Sequence, residues 1–495
     1  MLPETLAIPA ILLGIFILIL SASYLLYPKN SVKLLPPGPK ALPIIALAAK
    51  YGPIMSLKLG QIPTIVVSSP EKAELFLKTH DTIFASRPKL KATETISYGG
   101  KGLVFSKYGA YWRNVRKLVT VELLSASKVE MFAPLRRAEL GLLVKSLEKA
   151  SASHEVVDVS ELAMELIENV TYKMVLGRNK DDRFNLKGLI HEYSYLLGAF
   201  NLADYVPWLE VFDFQGLARR MNKVSKELDH VLEMIIKDHE QPSNNEEKGP
   251  DKKKVFVDTL LSLMHQPMDP HDEHQHIIDR TNIKAIIIDI IIGAYDTSAV
   301  TIEWAMSELL RHPRVMNKLQ NELENVVGLN REVEETDLEN LPYLNMVVKE
   351  TLRLYPVGPL LVPRESIEDV TIDGYHIKKK SRILINAWAI GRNPKVWSNN
   401  ANIFYPERFE VSDISNRGKD FRLIPFGSGR RGCPGIQMGL TSTTTILGQL
   451  VHCFNWDLPV GMSHDDLDMN EDFGLSIPRS QHLLARPTCR LLGRT

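Results

Sequence analysis

The densest chemistry in the chain lies in ten residues near its C-terminal end, FGSGRRGCPG, running from Phe426 to Gly435. They set one cysteine, Cys433, in a glycine-rich loop ahead of a helical pattern. Pro434 suits a first helical position, where its fixed φ fits and its missing N–H would have had no partner. Gly427, Gly429, Gly432 and Gly435 let the backbone approach something flat and adopt φ values that other residues resist. Unpaired N–H groups and the helix dipole favour a thiolate there, so the Cys433 pKa is expected to fall. Arg430 and Arg431 add charge suited to that thiolate or to carboxylates of a bound group. With no second cysteine nearby, such a thiolate is a metal ligand or a nucleophile. A buried structural cysteine in a turn is the bland alternative.

Three other constellations could do chemistry. Asp296 and Thr297 stand inside a long apolar pattern, 282–310, within the run Gly293-Ala294-Tyr295-Asp296-Thr297-Ser298. A buried Asp-Thr pair in mid-helix is costly unless it is used. The Thr297 hydroxyl can bond back to the carbonyl of Gly293 and bend the helix. Trp112 and Arg116 lie four apart and share a helix face, which in isolation reads as a surface arginine beside a half-buried tryptophan. Glu350 and Arg353 are three apart and can pair along one face. Alone, that spacing is usually a surface ion pair.

The spacing F-x-x-G-x-R-x-C-x-G, filled by Phe426, Gly429, Arg431, Cys433 and Gly435, resembles the haem-binding signature of the cytochrome P-450 superfamily. The resemblance extends over nearly the whole chain. Asp296-Thr297 resembles the oxygen-activation motif, with Ala294 in a usual glycine position, where it puts a methyl group near the haem face. Trp112 and Arg116 match W-x-x-x-R. Glu350 and Arg353 match E-x-x-R, and Pro406-Glu407-Arg408-Phe409 matches P-E-R-F. The stretch from Asn393 to Phe404 resembles the family's meander, one residue longer than usual and without its middle proline. The resemblance is closest to plant A-type members of the 71 clan, and the GAYDTSA run and longer meander point to family 736.

This resemblance implies a set of roles. Cys433 is the axial thiolate of a haem b iron, the ligand type that favours O–O cleavage. Trp112, Arg116, Arg364 and Arg431 hold the haem propionates, and Phe426 and Gly429 shape the cofactor loop. Thr297, helped by Asp296, steers protons during oxygen activation. Glu350, Arg353 and Arg408 form a buried network that locks the haem-side core. Ala294, Val357, Leu360, Leu361, Leu475 and Ile477 line an apolar pocket with no fixed charge to bind an acid. Electrons come from NADPH through NADPH-cytochrome P-450 reductase.

These residues need elements to position them. The chain has 495 residues, 44% of them hydrophobic, ample for one large core with no composition break. Net charge is zero, which argues against nucleic acid as a partner. Three cysteines, Cys433, Cys453 and Cys489, make no disulfide framework and fit a reducing compartment. Residues 6–27 carry no charge and would span roughly 33 Å as a helix, enough to cross a bilayer. Lys29 and Lys33 follow, placing the downstream chain in the cytosol. The expected organisation is a single-pass endoplasmic reticulum anchor over 1–29 and a catalytic domain over 30–495. Pro36, Pro37 and Pro39 stiffen a hinge between them. Residues 51–69 alternate as a hairpin, and helices dominate from residue 70. His239 to Lys254 is polar and reads as an exposed loop. The expected fold is mainly α, with a small β region and haem between the central helix and the Cys433 loop.

The expected reaction is insertion of one O2 oxygen into a C–H bond of a small apolar plant metabolite. Ring hydroxylation of a biphenyl-type phytoalexin precursor is the first expectation and allylic hydroxylation of a sesquiterpene the alternative. A reductase-independent haem isomerase or dehydratase is the alternative class. An intact cysteine loop and Thr297 favour monooxygenation.

Overall fold

The computed structural model describes residues 48–178, 185–241, 254–268, 276–411 and 414–492. The apolar run 6–27, the proline hinge and residues 242–253 of the expected loop lie outside them. The expected hairpin is present: β1 (Ile54–Leu59) pairs antiparallel with β2 (Ile62–Val67). Its turn needs glycine, because Gly60 has φ +57 and a Cβ there would stand 2.4 Å from the Tyr205 carbonyl oxygen.

The elements that build the site follow in order. They are α1 (Ala110–Leu118), α2 (Val159–Leu176), α3 (Leu186–Gly198) and α4 (Leu217–Glu240). Then come α5 (Arg280–Tyr295), α6 (Thr297–Arg311) and α7 (Pro342–Leu354). Short strands β3 (Arg364–Glu365) and β4 (Arg382–Ile385) precede the last long helix, α8 (Ile436–Cys453). The sheet order is β1-β2-β4-β3, with β2 parallel to β4 and Arg364 opposite Ile383. Residue Arg364 therefore leaves a sheet edge in a fixed direction.

α5 and α6 together replace the single helix expected over 282–310. Asp279 caps the start by accepting the Asn282 N–H. Ile283, Ile286, Ile287, Ile288 and Ile291 are buried, so the helix runs through the core. Its charges are spoken for. Lys284 reaches Asp229 at 2.7 Å and Glu233 at 2.9 Å on α4. The break comes at Asp296, and the Thr297 hydroxyl donates to the Gly293 carbonyl at 2.9 Å, the back-bond expected from the motif.

Of the loop expected over His239 to Lys254, residues 239–241 and 254 are described. His239 and Glu240 close α4, and His239 Nδ1 sits 2.7 Å from Asp258 Oδ1.

Candidate functional site

The Cys433 loop is folded on itself: the Cys433 N–H donates to the Phe426 carbonyl at 2.9 Å. Gly427 and Gly429 take φ of +68 and +69, while Gly432 and Gly435 do not adopt positive φ. The close approach that demands glycine at 429 is to protein, since a Cβ there would stand 2.2 Å from the Leu77 carbonyl oxygen. Pro434 lies outside the helix, which starts at Ile436 with Gly435 as its cap. Cys433 is exposed, yet burial pushes its thiol pKa up, and the Gly435 N–H and the Arg116 charge only pull against that. The expected fall is thus overturned in the protein alone: desolvation outweighs one N–H group and one arginine.

Arginines crowd beside this loop. Arg364 donates to Asp81 Oδ1 at 3.0 Å and to the Ser428 carbonyl at 2.7 Å. Arg431 donates to the carbonyls of Ala85, at 2.7 Å, of Leu103, at 3.3 Å, and of Ser106. Its guanidinium lies 4.1 Å from the Trp112 ring centroid. The Trp112 N–H goes to the Leu103 carbonyl at 3.1 Å. That single donor is spent within the protein, so Trp112 supports Arg431 from beneath and is not a carboxylate donor here. Burial, then the neighbouring Arg364 and Arg116, push the Arg431 pKa down to about 9.

Gly293 and Thr297 are exposed although the helix around them is buried. Ala294 is half-buried between them. Asp296 points elsewhere: it accepts the Ser476 hydroxyl at 3.5 Å, and burial raises its pKa while His191 and that hydroxyl lower it. Val357, Leu360 and Leu361 are half-buried, and Leu475 is 37% exposed. Ile477 is fully buried and its carbonyl accepts the Trp304 N–H at 2.9 Å. It braces the turn and opens onto no space.

Glu350, Arg353 and Arg408 meet. Arg353 makes a two-pronged contact with Glu350, at 2.7 and 2.8 Å, and Arg408 Nε lies 2.9 and 3.0 Å from the two Glu350 oxygens. The longer meander feeds this network: the carbonyls of Ala401 and Ile403 accept from Arg353, and those of Trp397, Asn400 and Ile403 accept from Arg408.

A family model described as Cytochrome P450 matches residues 41–484. The chain belongs to the cytochrome P450 family. It is 56% identical over 472 residues to cytochrome P450 CYP736A12 of Panax ginseng, covering 92% of this chain and 94% of that one. It is 40% identical to cytochrome P450 736A117 of Prunus mume, over 96% and 94% of the two chains. Desmethyl-deoxy-podophyllotoxin synthase of Sinopodophyllum hexandrum is 39% identical, over 93% of each chain. The fold matches a solved zebrafish cytochrome P450 with abiraterone at a TM-score of 0.73 and 23% identity, over 90% of this chain and 98% of that one. This plant A-type P450 is a monooxygenase, an oxidoreductase that uses haem with a cysteine thiolate ligand and NADPH electrons supplied by a reductase.

The residues of this P450 fit that group. Arg87, Arg364 and Arg431 are 6%, 3% and 8% exposed, and Arg116 lies beside them; the carboxylate in their midst is Asp81. Buried cations in such excess are costly without anions. The two propionates of a haem would supply them, on N–H groups that Arg364 and Arg431 have not used on protein oxygens.

Arg87 and Asp81 had drawn no notice in the sequence. Arg87 donates to the carbonyls of Val104, Val362 and Pro363 at 3.0, 2.6 and 2.8 Å, tying the pocket strand to the arginine cluster. Asp289 likewise carries no sequence signal of its part in the site. It accepts the N–H groups of Leu103 and Val104 at 2.6 and 2.9 Å, so it fixes the loop whose carbonyls hold Arg431 and Trp112. Contacts this remote in the chain leave no periodic trace.

Proposed function

We propose that this monooxygenase hydroxylates a small apolar plant metabolite in the gap between Thr297 and Cys433. The observations that support the reading are that Gly293 and Thr297 are exposed on a helix otherwise packed in the core, and that Cys433 is exposed on the loop leading into α8, the helix on which α6 packs. Cys433 ligates the haem iron, and Arg116, Arg364 and Arg431 hold the propionates. Haem supplies the oxygen-activating redox chemistry. Thr297 presents a hydroxyl at the cofactor side of the broken helix, and Asp296 passes protons to it. Cysteines 453 and 489 stand apart, Cys453 buried in the core and Cys489 on the last strand.

Val357, Leu360, Leu361 and Leu475 make the substrate walls, and the Ala294 methyl narrows the space beside the haem. A flat aromatic ring suits that narrowing best, so ring hydroxylation of a biphenyl-type precursor is the favoured reaction. Allylic hydroxylation of a sesquiterpene is the second. Residues 1–29 anchor the 30–495 domain to the endoplasmic reticulum, with the domain in the cytosol beside NADPH-cytochrome P-450 reductase. The exposed apolar residues Trp208, Val211, Phe212 and Phe214 support a membrane on that side. They follow Tyr205, whose carbonyl accepts the Gln61 N–H at 2.9 Å in the turn between β1 and β2.

The test is turnover in yeast microsomes with reductase, offering biphenyl-type and sesquiterpene substrates. Hydroxylated biphenyl formed only with NADPH is the expected result. Product formed without NADPH would establish the isomerase or dehydratase class instead.

A further inference from the structure

Three consecutive residues of the central helix face three ways. Successive helical residues turn by about 100°, so Tyr295 and Thr297 lie nearly opposite each other, with Asp296 on the flank between them. Thr297 is open on the cofactor side. Tyr295 lines a cavity of about 790 Å³ with Glu161 and Tyr172 of α2, Lys187 and His191 of α3, and His482. Asp296 therefore stands between that cavity and Thr297.

Most charges of the cavity are already paired. Lys187 binds Glu161 at 2.6 Å, and His482 Nδ1 lies 2.7 Å from Asp158 Oδ2. Glu168 of α2 is buried and acts on Tyr172 and Tyr295. His191 is exposed to the cavity. It also shares a face of α3 with Gly198, two turns on. Gly198 packs on the turn before Ser476, where a Cβ would stand 2.6 Å from the Leu475 backbone nitrogen. Ser476 in turn reaches Asp296. The turn at residues 474–476 thus bridges this face of α3 and the Asp296 side of the central helix. The carboxyl keeps one long side-chain hydrogen bond there, and the His191 charge acts on it.

We propose that this cavity is a water-filled proton inlet, and that His191 hands protons from its water to Asp296. The inference rests on the reading that Asp296 and Thr297 supply the protons of the reaction. In the step, an imidazolium N–H of His191 loses its proton to the Asp296 carboxylate. The neutral ring regains a proton from a solvent hydronium relayed through the cavity water, which is left as water, and no electron moves. His191 touches neither substrate nor haem, so it is a positioning residue that acts through Asp296.

The experiment compares wild-type holoenzyme with His191→Phe, His191→Lys and Asp296→Asn. Product per NADPH is expected to fall on the order of tenfold in His191→Phe, with hydrogen peroxide replacing it, and to recover partly in His191→Lys. Haem content and thermal midpoint should not change. The second readout needs no turnover: the infrared carboxyl band that Asp296→Asn removes is followed against pH. In His191→Phe that band should persist to higher pH by about one unit or more, because the nearby cation is gone. If Asp296→Asn stays fully coupled, the underlying reading of Asp296 fails. If Asp296→Asn uncouples while His191→Phe moves neither coupling nor the band, the inlet alone is overturned.

Discussion

Two arginine clusters sit within this P450, and they are completed differently. Around Glu350, every N–H of Arg353 and Arg408 finds an acceptor: the carboxylate, meander carbonyls, Gly391 and the Asn400 side chain. An arginine has five such donors, and both sets are filled. Around Asp81, Arg364 uses two groups on protein and Arg431 and Arg87 three each. A saturated cluster is part of the fold. An unsaturated one with excess charge is a site made for an anion. Mutation should therefore separate them cleanly.

The largest effect belongs to the ligand that both clusters serve. Cys433→Ser replaces a thiol with a far poorer anionic donor. The reduced, CO-bound difference spectrum is expected to lose its thiolate-type Soret band altogether. A normal band would move the ligand to Cys453 or Cys489. Next comes the saturated cluster. Glu350→Ala strands two buried guanidinium groups and should cost about 3–5 kcal/mol, a large share of a domain's stability. Thermal midpoint and yield of haem-loaded protein should fall together. If both hold, the saturated cluster is not structural.

Arg364→Ala should behave in the opposite way. Asp81 keeps the Arg430 N–H at 2.8 Å and its guanidinium at 3.3 Å, and one surplus buried charge disappears. The fold should survive, while haem transfer to an acceptor protein speeds up about 10- to 100-fold, the loss of one charged hydrogen bond. Equal loss of stability in the two variants would erase the distinction between the clusters.

Asp289 offers a subtler change, in a third buried charge. Burial pushes its carboxyl up to about 6, against the Leu103 and Val104 N–H groups. Its folded pKa exceeds the unfolded value, so the folded state binds the extra proton between about pH 4 and 6 and stability falls as pH rises through that window. In Asp289→Asn, one amide oxygen can still accept both N–H groups. The variant should match wild type near pH 4 and gain on it by on the order of 2 kcal/mol at pH 7. Thermal midpoints across that range check the sign.

The saturated cluster was the more legible in sequence. Glu350 and Arg353 share one helix face, and Arg408 stands in a short recognisable run. The carbonyls that finish it are backbone, which carries no residue code. The open cluster was half legible. Arg364 and Arg431 belonged to patterns, but Asp81 pairs with Arg364 and Arg430 across 283 and 349 residues, beyond any periodicity. Trp112 shows the limit of a borrowed role: its place was right, and its only N–H was already taken. The Cys433 pKa was misjudged because helix-end electrostatics is local and readable, whereas desolvation depends on everything packed around the loop. The break at Asp296 was legible, since a threonine four residues after Gly293 carries the cause in itself.

Thr297→Ala should leave both clusters and the holoprotein intact and still change the outcome of turnover. The hydroxyl lies outside the arginine clusters, and its one intramolecular bond, to the Gly293 carbonyl, is local. Haem content, the CO-bound spectrum and substrate affinity should therefore hardly move. What is lost is a hydroxyl at the open face of the broken helix, the group proposed above to pass on a proton. Without it NADPH consumption should continue while hydroxylated product falls, and hydrogen peroxide should make up the difference. Positioned proton donors contribute about 100-fold or more where they act directly, which bounds the loss of product per NADPH. The measurement is the stoichiometry of NADPH, peroxide and product with an accepted substrate. Unchanged coupling would leave Thr297 only its back-bond, and the break at Asp296 would then shape the helix without feeding the reaction.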